Sequence, residues 1–182
     1  MTLLSLGIVL WYAGHFFKRA LPGVRQGLGD PGKGIAALAI LAGLVLMVIG
    51  YRGAESGFLY VPPVWGQHLN NLLMLFAVIL FGMGSSKGRM RAWLRHPMLT
   101  GALTWAAAHL LVRGDTASVL LFASIGVWAV LEMVVINAKE GPWERPEPGT
   151  PAGDVRLIVI GLVLYAIIAA AHTWLGYYPF PR

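Results

Sequence analysis

Residues 34–51 read Gly-Ile-Ala-Ala-Leu-Ala-Ile-Leu-Ala-Gly-Leu-Val-Leu-Met-Val-Ile-Gly-Tyr and contain no charged side chain. A helix needs about twenty apolar residues to cross the hydrocarbon core of a bilayer. The rest of the chain has the same character, because 57% of its 182 residues are hydrophobic and only 12% are charged. Soluble domains contain roughly 25% charged residues. The composition therefore predicts an integral membrane protein.

Five further apolar runs predict, together with residues 34–51, an all-α, polytopic membrane bundle of about six transmembrane helices. Proline and glycine separate the runs, because proline breaks a helix interior. The six runs cover residues 2–17, 34–51, 67–83, 97–113, 116–136 and 155–177. We therefore divide the chain into a five-helix membrane core (1–136), a proline-rich polar loop (137–154), and a sixth span with an interfacial aromatic C-terminus (155–182).

Positive charges orient the predicted bundle, since cytoplasmic loops of membrane proteins are enriched in lysine and arginine. The first, third and fifth loops hold most of them: Lys18, Arg19, Arg25, Lys33, Lys87, Arg89, Arg91, Arg95, Lys139, Arg145 and Arg156. The opposite side of the bundle holds Arg52, Arg113 and Arg182. We expect these three loops to face the cytoplasm and both termini to face the periplasm.

Composition also limits the chemistry. The chain has no cysteine, which excludes disulfides, thiolate metal ligands and thiol redox reactions. Its net charge is +6, but the basic residues lie in short clusters between apolar runs. Such clusters are typical of topology signals, so we expect the lipid bilayer as a partner and no nucleic acid. Any metal or redox chemistry must use histidine.

His109 is the most unusual of the five histidines, because it lies inside the apolar run of residues 98–112. It is about 18 Å from the cytoplasmic end of its predicted helix. An ionisable residue in hydrocarbon is a functional candidate because its burial is costly. Histidines from different helices of a bundle can hold a b-type haem between them. By depth, the partner of His109 is either His172 or His15, and the sequence leaves both open.

Two other polar features lie at the cytoplasmic side. The triplet Arg95-His96-Pro97 opens the fourth span, where Pro97 suits a first helical position. Arg95 and His96 are candidates for binding an anionic group at the positive end of that helix. Glu132 lies near the cytoplasmic end of the fifth span, and we expect it to pair with a basic residue of the cytoplasmic loops.

Seven motifs carry a resemblance to a known family. They are Gly14-His15, Gly50-Tyr51-Arg52, Val61-Pro62-Pro63, His68-Leu69, Arg95-His96-Pro97-Met98-Leu99-Thr100-Gly101, Ala108-His109-Leu110-Leu111 and Arg113-Gly114-Asp115. Together they resemble the NnrU family of bacterial membrane proteins, which is linked to denitrification and related to plant and cyanobacterial zeta-carotene isomerase. The resemblance covers roughly residues 1–136, the five-helix core.

This resemblance implies a bacterial inner-membrane protein that binds haem b through His15 and His109, with His172 as the alternative second ligand. Arg95 and His96 would anchor a propionate or another anion. In the isomerase relatives the haem iron takes part in isomerising a cis double bond of a carotenoid. The bacterial family is instead associated with nitrite and nitric oxide reduction. Either role suggests a hydrophobic small molecule or a respiratory membrane complex as a partner.

Two alternatives remain. Arg95-His96-Pro97 followed by Gly101 is also similar to a motif of isoprenylcysteine methyltransferases, in which it helps to bind S-adenosylmethionine. Leu99 stands where that family has tyrosine, and Glu132 stands alone where paired acidic residues are expected. The other alternative is a non-enzymatic membrane factor that helps to assemble a larger complex.

Overall fold

The computed structural model describes residues 1–180, and within this range the chain is all-α and forms no strand. Its helices are α1 (Thr2–Ala20), α2 (Pro22–Gly27), α3 (Gly29–Arg52), α4 (Gly66–Met83), α5 (Pro97–Leu110), α6 (Thr116–Glu140) and α7 (Pro151–Trp174). A 3-10 turn, Arg89–Ala92, precedes α5. The predicted helix class is therefore confirmed, since every predicted apolar run is largely helical.

The predicted count of six transmembrane helices is not confirmed. Within residues 1–180, four helices are long and apolar enough to cross a membrane: α3, α4, α6 and α7. α5 has 14 residues, and such a helix is about 21 Å long, less than the roughly 30 Å of hydrocarbon. α1 has 19 residues, but His15, Lys18 and Arg19 make its second half polar. The two long helices that fall short therefore carry the two candidate haem ligands.

Prolines mark the helix ends, with two differences from expectation. α1 ends at Ala20, three residues beyond the predicted end at residue 17, and Pro22 begins the short helix α2, because proline suits a first helical position. α6 continues to Glu140 and α7 begins at Pro151. The irregular connection is therefore residues 141–150, a shorter segment than the predicted loop 137–154.

In space the long helices follow the order α3, α1, α6, α5, α4, α7, and each packs mainly on its neighbours in that row. α1 and α3 approach closely through glycines. A Cβ atom added at Gly43 would lie 2.8 Å from the backbone nitrogen of Trp11 and 2.8 Å from the carbonyl oxygen of Gly7. Small residues permit such contacts between membrane helices. In this order of helices, α6 lies between α1 and α5 and forms the centre of the bundle.

The buried core lies where α1, α3, α5 and α6 meet. Its members are Leu4, Ile8, Met47, Ala102, Ala117, Ile125, Trp128 and Ala129. α3 and α7 instead expose most of their apolar surface. An apolar exterior of this kind suits contact with lipid, so the fold is that of a membrane protein.

Candidate functional site

His15 lies on α1 in a pocket of aromatic rings. Its Nδ1 is 2.9 Å from the carbonyl oxygen of Trp11, one helical turn earlier. Because a carbonyl oxygen only accepts hydrogen bonds, the ring proton is on Nδ1 and the neutral ring keeps a free lone pair on Nε2. The imidazole packs against the Trp11 ring at 4.3 Å and the Trp128 ring of α6 at 4.6 Å, measured between centroids.

His109 lies on α5 in an arrangement of the same kind. Its Nδ1 is 2.9 Å from the carbonyl oxygen of Trp105, so Nε2 again keeps its lone pair. The imidazole stacks on Phe122 of α6, with centroids 4.5 Å apart and an interplanar angle of 24°. The Trp105 ring lies 4.9 Å from the imidazole. Both histidines are therefore oriented by a tryptophan that precedes them by four residues.

Sequence reasoning missed this shared motif. The signal was present, because Trp11 precedes His15, and Trp105 precedes His109, by four positions. Residues at this spacing lie on one face of a helix. The backbone bond from Nδ1 to the tryptophan carbonyl has the form that orients metal-ligating histidines in many sites.

The structure does not bring His15 and His109 together. Their contacts on α6, Trp128 and Phe122, are six residues apart. This separation corresponds to about 9 Å along the helix axis and about 120° around it. The two imidazoles therefore occupy different faces of α6 at different depths.

His172 lies in the last turn of α7, and its Nδ1 is 2.8 Å from the carbonyl oxygen of Ile168. It is close enough to His109 for the two rings to interact electrostatically. No tryptophan precedes it by four residues, and none of the described ring contacts involves it. His172 thus lies at the same end of the bundle as His109, whereas His15 has the same local environment as His109.

Arg95 and His96 lie at the beginning of α5, where they line an open cleft with Gly84 and Ser85. Arg95 and His96 are both held by residues at the C-terminal end of α6. Arg95 Nη1 donates to the carbonyl oxygen of Gly141 at 2.6 Å, and His96 Nε2 donates to Asn137 Oδ1 at 2.8 Å. Arg95 has further N–H groups for an anion, but its position is determined by this contact between helices.

Glu132 pairs with Arg19 in the last turn of α1, one of the basic residues with which the sequence predicts a pairing. Its Oε1 atom is 2.7 Å from Arg19 Nη1, and the Glu132 side chain is 7% exposed. Arg19 Nη2 also contacts Glu140 Oε1 at 2.9 Å. This ion pair lies one turn beyond His15 on α1 and one turn beyond Trp128 on α6.

The opposite end of the bundle is held by Asp115, which caps α6. Its carboxylate accepts hydrogen bonds from Ser118 N (2.9 Å), Ser118 Oγ (2.6 Å) and Ser56 Oγ (3.1 Å). Burial raises the pKa of Asp115, but these hydrogen bonds outweigh it and leave the pKa below the ordinary value of 3.8. Asp115 is thus a carboxylate that connects α6 to the loop after α3.

Tyr60 connects the same loop to the end of α5. Its hydroxyl donates to the carbonyl oxygen of Leu110 and lies 2.8 Å from that of Arg113. Burial, with a smaller contribution from the Asp115 charge, raises the pKa of Tyr60 above 10.0. The tyrosine therefore stays neutral and holds the backbone that directly follows His109.

Within residues 1–180 no group of three or more histidine, aspartate or glutamate side chains is arranged to hold a metal ion. The available metal chemistry is therefore that of separate neutral imidazoles. These features define a class: a helical membrane protein with histidines oriented on either side of one central helix. The chain matches the family model described as "NnrU protein" over residues 3–179 and belongs to the NnrU family.

The match is longer than the seven motifs suggested, since it continues from residue 136 through the 141–150 connection and α7. No curated protein and no solved structure matches the chain.

Proposed function

We propose that this NnrU-family protein is a haem b protein of the membrane, in which His109 would hold the haem. The observation that carries the proposal is the state of the His109 ring. Nδ1 is tied to the Trp105 carbonyl at 2.9 Å, which leaves Nε2 as the ligating atom. Phe122 and Trp105 surround the ring with apolar surface, which suits a porphyrin. The chemistry of the residues therefore fits the group.

For the second histidine we propose His172, because it lies within electrostatic range of His109. The alternative is His15, which shares with His109 the tryptophan four residues earlier and the free Nε2 atom but contacts a different face of α6. Haem bound to two histidines would supply one-electron redox chemistry at iron. The roles of the chain would be to orient the two imidazoles and to surround His109 with apolar side chains.

Arg95 and His96 are proposed to anchor an anionic group, such as a propionate, at the cytoplasmic end of α5. They line an open cleft there, and a helix N-terminus attracts negative charge. The family association suggests a role in nitrite and nitric oxide metabolism, and carotenoid cis-trans isomerisation is the related alternative. In both cases a hydrophobic small molecule or a respiratory membrane complex would be the partner.

The first experiment is an absorption spectrum of the detergent-purified protein, oxidised and then reduced with dithionite, with a pyridine haemochrome assay for stoichiometry. One haem per chain is expected. His109→Ala should lose the haem, whereas His68→Ala should keep it, because His68 is exposed at the start of α4. Full haem content in His109→Ala, or a colourless wild-type protein from cells supplied with haem precursor, would overturn the proposal.

The second ligand is tested by comparing His15→Ala with His172→Ala. Loss of a histidine that holds the haem would shift the Soret band. We expect this change in His172→Ala and an unaltered spectrum in His15→Ala. The reverse result would assign the position to His15.

The cleft at Arg95 favours one competing function, that of a methyltransferase that uses S-adenosylmethionine. It is lined by Arg95, His96 and Pro97, which belong to the motif shared with that class, and by Leu99, which stands where that class has tyrosine. This function requires saturable S-adenosylmethionine binding to haem-free protein, measured by calorimetry, and its loss in Arg95→Ala. A colourless protein without such binding would instead favour an assembly factor, detected by co-purification with a membrane complex.

The proposed orientation places both termini in the periplasm of a bacterial inner membrane. Because the chain has no cysteine, single cysteines can report it directly. Gly57→Cys lies in the loop after α3, and Glu147→Cys lies in the 141–150 connection; both positions are exposed. A maleimide that cannot cross the inner membrane should label Gly57→Cys in cells with permeable outer membranes and leave Glu147→Cys unlabelled.

A further inference from the structure

The interface between α1 and α6 contains buried polar atoms that the haem proposal does not use. Among residues 1–180, Trp11 Nε1, Trp128 Nε1, Glu132 Oε2 and Arg19 Nε are buried and have no hydrogen-bond partner. Such atoms are rare in folded proteins, because an unpaired polar group loses its hydration without compensation. Four of them in one interface call for a common explanation.

These atoms belong to two facing rows of side chains. Trp11 and Arg19 lie on one face of α1, two turns apart, with His15 between them. Trp128 and Glu132 are one turn apart on α6. The ring centroids of Trp11 and Trp128 are 5.2 Å apart, and Arg19 Nη1 is 2.7 Å from Glu132 Oε1. The unpaired donors and the unpaired acceptor therefore lie along the same interface.

The set selects a small neutral ligand. The two indole N–H groups are donors only, and the Glu132 Oε2 atom accepts. An anion would be repelled by the Glu132 carboxylate, and a cation would be repelled by the Arg19 guanidinium and the inward-facing N–H groups. Water both accepts and donates, and buried waters typically form about three hydrogen bonds to otherwise unpaired groups. Trp128 is 7% exposed and Glu132 is 5% exposed, so the site lies inside the protein.

The same row of charges reaches the cytoplasmic end of the bundle. Arg19 Nη2 is 2.9 Å from Glu140 Oε1, and the Glu140 side chain is 51% exposed. Polar atoms thus continue from an exposed carboxylate to a buried one.

We propose that α1 and α6 enclose an internal water site, bounded by Trp11, Trp128 and Glu132 and reached from the cytoplasmic end of α6. This site hydrates the side of α6 that faces His15. The side that faces His109 stays dry, because within residues 1–180 none of the unpartnered buried atoms belongs to α5. The site does not depend on bound haem.

Hydroxyl-radical footprinting of the full-length protein in detergent tests the site, since X-ray pulses form radicals from water and label the side chains that contact it. Trp128 and Phe122 are a matched pair on α6, with exposures of 7% and 5%. After correction for the intrinsic reactivity of each side chain, we expect Trp128 to be labelled several-fold faster than Phe122. Equally slow labelling of the two residues would overturn the proposal.

A variant comparison adds a second test. Glu132→Leu removes the acceptor and should lower the labelling of Trp128 to the level of Phe122. Glu144→Leu removes an exposed carboxylate of the 141–150 connection and should leave the labelling unchanged. Undiminished labelling of Trp128 in folded Glu132→Leu would count against the site, and the wild-type comparison decides if that variant does not fold. Failure of the haem assignment leaves both measurements valid.

Discussion

Trp11 and His15 of α1 pack against one face of α6, and Trp105 and His109 of α5 pack against another. Each histidine is tied to a tryptophan carbonyl, but the surroundings differ. Beyond His15 lies the buried ion pair of Arg19 with Glu132. The His109 ring is instead stacked on Phe122. The residues that follow His109 lead into the loops at the opposite end of the bundle.

This difference shows that one local motif can occur in two environments. The bond from Nδ1 to the carbonyl fixes the tautomer, so both rings present a neutral Nε2 atom. The apolar rings around His109 are the environment that we propose for a haem ligand, and the charge pair beyond His15 is the environment that we propose for a buried water. The residue four positions after each histidine, Arg19 or Arg113, is cationic in both cases, but within residues 1–180 only Arg19 has a buried carboxylate partner.

The largest effect is expected from Glu132→Ala, which removes the buried carboxylate beyond His15. Removal of one partner of a buried ion pair costs about 3–5 kcal/mol, because the other charge stays buried. Glu140→Ala removes the exposed partner of Arg19 and should change the stability much less, because water already solvates that carboxylate. The measurement is the free energy of unfolding of the two variants in mixed micelles, obtained by titration with dodecyl sulfate. Equal losses in the two variants would contradict the burial of the pair.

Gly43→Ala is expected to displace α1 and, with it, His15. The new Cβ would lie 2.8 Å from the backbone nitrogen of Trp11, so the helices must separate. Overpacking of this kind costs about 1–3 kcal/mol. Hydrogen exchange should increase in α1 and stay unchanged in α5. Gly34→Ala is the control on the same helix, since nothing lies within 4 Å of its Cβ position, and it should behave as wild type.

Asp115→Ala acts on the end of the bundle that holds His109. At neutral pH the loss of the helix cap should cost about 1 kcal/mol. Because the folded-state pKa lies below 3.8, the Asp115 carboxylate stabilises the fold above that value, and the contribution is lost as the pH falls through the folded-state pKa.

Melting temperatures at neutral and acidic pH should therefore differ less in Asp115→Ala than in the wild type. Asp30→Ala removes an 89% exposed carboxylate and should retain the wild-type acid response. An identical acid response in Asp115→Ala and the wild type would show that Asp115 is not the responsible group.

Tyr60→Phe should have the smallest effect of these variants. It tests what holds the backbone that follows His109. It removes the hydrogen bonds to the carbonyl oxygens of Leu110 and Arg113, at a cost of about 0.5–1.5 kcal/mol. Mass spectrometry should detect faster hydrogen exchange at the end of α5 and no change in α1. Unchanged exchange at the end of α5 would mean that Tyr60 does not hold this backbone.

Sequence reasoning found the helices because hydropathy and proline report local conformation. It also identified Glu132 as an acid that needs a cytoplasmic base, and the structure supplies Arg19. The count of spanning helices is not confirmed at α1 and α5, because α5 is short and the second half of α1 is polar. The place of such a helix in a bundle depends on its protein neighbours, which length and hydropathy alone do not reveal.

The sequence could not predict which histidines lie close together, for a different reason. Depth along a helix follows from residue number, but the angle around α6 depends on which helices pack beside it. His15 and His109 contact α6 about 120° apart, a separation that depth cannot express. The Trp-x-x-x-His spacing was visible, yet aromatic residues in an apolar helix resemble ordinary packing until the contacts of His15 and His109 are known.

The central place of α6 also has a consequence for how the protein is made. The α1–α3 pair and the α4–α5 pair can each form from residues that leave the ribosome before α6, since chains fold from the N-terminus during synthesis. Trp128 and Phe122 reach His15 and His109 only when α6 enters the membrane. Neither histidine pocket is therefore complete in a nascent chain that lacks α6, and any cofactor can be retained only after its insertion.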